Sequence, residues 1–127
     1  MQRFLIVCGA GGIGCGMRYL VALAIGTRSF PYATLAVNLA GCFLIALILE
    51  SVLRGSSIST NLRLALTTGF MGGLTTYSSF NYETTLMATG MKDVPSRPWS
   101  ALLYVGATLI GCILCGIAGL WLARRLT

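Results

Sequence analysis

Between Gly69 and Glu83 the chain reads GFMGGLTTYSSFNYE. Gly72 and Gly73 are adjacent, Thr75, Thr76, Ser78 and Ser79 follow, and Tyr77 and Phe80 punctuate the hydroxyls. Exposed carbonyl oxygens suit a small hard cation, and hydroxyl hydrogens suit an anion. A lipid-facing helix gains nothing from such a run. A helix broken inside the bilayer does, because its freed carbonyls coordinate an ion or line a polar path. Other polar residues recur at helical spacing in apolar surroundings. Thr34 and Asn38 are four apart and share a face, as do Tyr104, Thr108 and Cys112. An amide inside a membrane span needs partners, so Asn38 either glues helices or offers its N–H donors to a path. Tyr104 and Thr108 read as a polar track, a helix contact, or both. Arg18 interrupts the first apolar run. It either snorkels to the interface or faces a wet vestibule, where it raises the potential for an anion. Glu83 sits just beyond the expected break.

The elements holding these residues follow from composition. The chain has 127 residues, 56% hydrophobic and only 9% charged. Soluble domains carry about 25% charged residues. A deficit this large leaves too little polar surface for water, so the fold class is an all-α integral membrane protein. A crossing takes about 20 apolar residues. Four spans fit as a single domain, residues 1–127, at about 4–25, 33–53, 62–89 and 100–122, with the third broken near its middle. The first is rich in glycine, and Gly12-x-x-x-Gly16 matches the pattern that lets helix backbones approach closely. Loops at 26–32, 54–61 and 90–98 join the spans, and Ser59, Thr60 or Asn61 is available to cap the third. Trp99 and Trp121 read as interfacial anchors in contact with lipid.

The formal charge of +6 invites a nucleic-acid reading. Its placement argues against one, because the basic residues are scattered at span ends with no stripe on an aqueous face. They read as headgroup anchors. Cys8, Cys15, Cys42, Cys112 and Cys115 all lie in apolar runs. Without histidine or a second CxxC they read as small packing residues, not as a metal site. No catalytic triad, carboxylate pair or phosphate loop is present, so an enzyme is not expected. Arg3, Arg54, Arg63, Arg124 and Arg125 fall on the side of the termini, and Arg28, Lys92 and Arg97 fall opposite. So weak a bias barely selects an orientation. Dual topology follows as a possibility, with two oppositely oriented copies forming an antiparallel homodimer. Donors outnumber carboxylates in the polar set, which favours an anion path. The alternative is a small four-helix dual-topology coupled exporter, an antiporter. The known multidrug exporters of that size depend on an acidic residue in the first span, where this chain has Arg18.

GFMGGLTTYSSFNYE resembles the GGLTTFSTFSxE signature of the Fluc/CrcB fluoride channels. The likeness extends to GCGMRYL in the first span, TLAVNLAG in the second and YVGATLIGC in the fourth. It implies an antiparallel dual-topology homodimer in the prokaryotic inner membrane, with two fluoride pores and a central structural sodium ion. By resemblance, Gly72 and Thr75 supply carbonyls to sodium. Asn38, Tyr77 and Phe80 line the fluoride path, Thr34, Ser79, Tyr104 and Thr108 belong to its polar track, and Glu83 sits near a pore end. Two residues depart from the family pattern: Tyr77 stands where phenylalanine is usual, and Cys112 where serine is usual. The phenol adds a donor while keeping its ring edge, and the thiol is a weaker donor than a hydroxyl.

Overall fold

The computed structural model describes residues 1–91 and 95–126, and these are helical apart from short connections. Lys92 and Asp93 of the third loop lie outside the described residues. Helix α1 spans Gln2–Ile25 and α2 spans Tyr32–Leu53. A helical path then runs through α3 (Thr60–Leu64), a π-helical segment (Ala65–Met71) and α4 (Gly72–Leu74). Helix α5 is Tyr77–Thr89 and α6 is Pro98–Leu126. Helices α1, α2 and α6 are long and apolar enough to cross a membrane. The protein is a multi-pass, all-helical membrane protein.

The ends of the elements follow local chemistry. Ser59 is the cap chosen for α3, accepting the Leu62 N–H at 3.2 Å. Helix α6 opens on Pro98, whose missing N–H costs nothing in a first turn. It runs to Leu126, past the expected end, and its last turn is held by Arg124 Nε on Glu50 Oε1 at 2.8 Å. Arg54 Nε meets the same oxygen at 3.1 Å. The carboxylate at the end of α2 therefore gathers cations from two elements.

Helices α2 and α6 pack along each other and run in the same direction. Thr34 and Tyr104 meet through Glu83 at one end, and Glu50 meets Arg124 at the other. The intervening residues 60–89 must therefore carry the chain back over the same length. They do so without one continuous helix.

Helix α1 packs chiefly on this returning segment, backbone against backbone. A Cβ at Gly14 would strike the Phe70 carbonyl, and one at Gly73 would strike that of Gly11. Gly69 is packed against Ala10 in the same way. The close-packed set is thus Gly11, Gly14, Gly69 and Gly73. Gly12 and Gly16, which the small-xxx-small pattern nominates, face open space within the chain.

Candidate functional site

The helical path stops at Leu74. Thr75 (φ −83°, ψ 155°) and Thr76 (φ −152°, ψ 117°) are extended, and helix resumes at Tyr77. The interruption falls near the middle of residues 60–89, after Gly72–Leu74, which keep a helical turn that docks on α1. Asn38 holds the interruption open. In an unbroken helix the Thr76 N–H would donate to the Gly72 carbonyl. Here it donates to Asn38 Oδ1 at 2.8 Å, while Asn38 Nδ2 donates to the Thr76 carbonyl at 3.1 Å. Both residues are buried. Thr76 then caps the next helix, its Oγ1 accepting the Ser79 N–H at 3.2 Å. That takes the donor which would have served the Thr75 carbonyl. The Thr75 hydroxyl turns back to the Met71 carbonyl at 2.8 Å. The carbonyls of Gly72 and Thr75 have thus both lost their helical donors to other acceptors.

A second arrangement centres on Glu83. Thr34 Oγ1 donates to Glu83 Oε1 at 2.7 Å, and Tyr104 OH donates to Oε2 at 2.7 Å. Tyr104 is 0% exposed. Its ring lies 5.1 Å from that of Phe80 and 5.4 Å from that of Phe30, centroid to centroid. One turn further along α6, Thr108 Oγ1 is buried and has no hydrogen-bond partner among the described residues. Buried hydroxyls are nearly always paired, so such an orphan calls for an explanation. Cys112, a further turn on, lines one cavity together with Cys42 of α2.

The sequence-predicted residues divide into two groups. Thr34, Ser79, Glu83 and Arg18 share one cavity of about 340 Å³, also lined by Thr76. Arg18 makes a weak contact there, Nη2 to Cys15 Sγ at 3.7 Å, and among the described residues it has no carboxylate partner. Asn38, Gly72, Thr75 and Tyr77 line a second cavity of about 410 Å³ with Thr76. The Tyr77 and Phe80 rings are 5.6 Å apart, but Tyr77 is 76% exposed while Phe80 is buried against Tyr104. Two contributors escaped sequence reasoning. Thr76 is the residue clamped by Asn38 and shared by both cavities, and Phe30 reaches from the first loop onto Tyr104. Thr76 belongs to the hydroxylated run, but nothing local sets it apart within it, and nothing local marks Phe30, since the partners of both are distant in sequence.

A family model described as CrcB-like protein, Camphor Resistance (CrcB), matches residues 5–120. A fluoride-specific ion channel FluC of Geobacter sulfurreducens is 44% identical, over 99% of this chain and 100% of the relative. The protein of the same name from Chlorobium phaeobacteroides is 46% identical over 94% of this chain and 92% of its own length. That from Chelativorans sp. is 40% identical over 99% of both. With a family model matched over residues 5–120 and relatives 40–46% identical nearly end to end, the chain belongs to the CrcB-like family.

Proposed function

We propose that this chain is a fluoride-specific channel that lowers cytoplasmic fluoride by passive export, and that it is not an enzyme. The observation that carries the reading is the buried donor row of Thr34, Tyr104 and Thr108. It ends in a hydroxyl with no partner among the described residues, where an anion is the natural acceptor. The ion's identity comes from the relatives' name. Residues 60–89 form the third crossing, broken at Thr75 and Thr76, and the parallel run of α2 and α6 supports that assignment. Non-helical backbone at membrane depth is tolerated where it is buried in protein or lines a cavity. Asn38, Tyr77, Phe80, Ser79, Thr34, Tyr104 and Thr108 border the path, with Arg18 and Glu83 at its wetter end.

Two oppositely oriented copies complete the assembly in the inner membrane. The weak charge bias, the exposed Tyr77 and the mostly exposed flank of α1 support this. Each copy brings one path. The Gly72 and Thr75 carbonyls suit sodium: they are hard oxygen donors deprived of their helical partners, and two chains together offer four. Sodium there would act structurally, tying the two interruptions together. Reconstitution in liposomes tests the function. Fluoride efflux that needs an ionophore to balance charge, and no proton gradient, is the channel result. Efflux without such a shunt that is driven by a proton gradient would assign the chain to the coupled exporters instead.

A further inference from the structure

Sulfur gathers in one place that the fluoride path does not explain. Cys42 from α2, Cys112 from α6 and Met71 from the π-helical segment all line the 410 Å³ cavity. Cys42 and Cys112 lie on the packed pair of helices α2 and α6 and face the same cavity. Met71 is only 4% exposed. Three elements thus bring soft donors to one wall. Hard or borderline metals need more: among the described residues no three His, Cys, Asp or Glu side chains could hold a metal together. Soft monovalent d10 ions need only two thiolates, and a thioether suits them as a further donor.

We propose that Cys42 and Cys112, with Met71 beside them, form a binding site for a soft monovalent metal cation of the copper(I) or silver(I) class, whose occupancy closes the cavity. Two metal–sulfur bonds form and the two thiol protons leave to water, because a coordinating thiol is deprotonated outright. The cation keeps its charge and no oxidant is involved. Two thiolates and one monovalent cation leave a net charge of −1. In a cavity of low dielectric that charge repels a second anion strongly. The same cavity is lined by Asn38, Thr75, Thr76 and Tyr77, so the occupied site obstructs the interruption by charge as well as by bulk. The closing effect rests on the channel reading, whereas the binding site does not.

The test uses silver nitrate in chloride-free buffer with the full-length protein. Bound silver is counted by elemental analysis after gel filtration. The native chain should retain a tight silver equivalent that Cys42→Ala and Cys112→Ala each lose, their affinity falling by roughly 100-fold or more with a thiolate gone. Cys8→Ala and Cys15→Ala should retain it. Cys42→Ser and Cys112→Ser supply soft-ligand loss with less change in volume, should either alanine variant fail to assemble. Unchanged stoichiometry in the Cys42 and Cys112 variants overturns the site. In a parallel arm, fluoride efflux with silver is compared with each variant's own silver-free rate. Block in the native chain and its absence in the Cys42 and Cys112 variants supports closure. Silver bound at the pair with efflux undiminished overturns closure. If no sample passes fluoride even without silver, the channel reading has failed, and the binding arm still decides the site.

Discussion

Thr108→Val should raise stability and lower flux. The Thr108 hydroxyl is buried and bonds to nothing among the described residues. Valine has the same shape, with a methyl in place of the hydroxyl, and a similar helix propensity. An unsatisfied buried hydroxyl costs about 1–3 kcal/mol, so its removal should stabilise the folded protein by about 1 kcal/mol or more. If the hydroxyl instead serves a passing anion, its hydrogen bond to a charged partner is worth about 1.5–3 kcal/mol. Lost at the barrier, that energy slows transport by about 10–150-fold. The two effects have opposite signs, which no general disturbance of folding reproduces. Thermal unfolding in detergent reads the first, and a fluoride electrode outside loaded liposomes reads the second. Thr108→Ser keeps the hydroxyl and should recover most of the flux. Native flux in Thr108→Val refutes the donor role, and a destabilised variant shows that the hydroxyl has a structural bond after all.

Asn38→Ala should lower stability and flux together, since it strands both the N–H and the carbonyl of buried Thr76; about 2–3 kcal/mol is expected at the same unfolding assay, above the average for interhelical bonds in membranes because backbone groups are left unpaired. Gly73→Ala should cost about 1–3 kcal/mol through its clash with the Gly11 backbone, whereas Gly12→Ala should leave the folding of the single chain unchanged; the reverse order in unfolding temperature would contradict the packing of α1. Exchanging sodium for a larger monovalent cation should weaken the dimer, read by cross-linking or single-molecule counting, or reduce its flux, and indifference would dismiss the structural-sodium proposal. Tyr104→Phe removes one of the two hydroxyls on Glu83 and should destabilise by about 1.5–3 kcal/mol, measured as a lower unfolding temperature.

The long helices were legible because hydropathy and loop chemistry are local signals. Gly26 and Gly90, with φ of 69° and 72°, end α1 and α5 where an L side chain would be strained. The shared faces were legible as well: Thr34 and Asn38 on α2, and Tyr104, Thr108 and Cys112 on α6. What the spacing could not say is which residues the two helices bring together: Thr34 and Tyr104 converge on Glu83, and Cys42 and Cys112 line one cavity. Gly72 and Gly73 look like helix breakers, but close packing on α1 uses them as helical residues. Thr76, which any helix would accept, is extended because Asn38 competes for its backbone. The π-helical turn at 65–71 has no sequence signal that separates it from an ordinary helix.

The bond between Asn38 and Thr76 joins residues 38 apart, and it has a consequence for the order of events during biogenesis. No proline lies between Thr60 and Thr89, so nothing in that stretch forces a break while it enters the bilayer alone. There the cheapest arrangement is an uninterrupted helix, with every carbonyl satisfied by its own segment. The exchange of the Gly72 carbonyl for the Asn38 amide becomes available only when this segment docks on α2. The exposed oxygens, and any passage beside them, therefore come into being late. If the chain conducts as proposed, a chain whose return segment has not yet docked on α2 lacks that passage, and so does not leak.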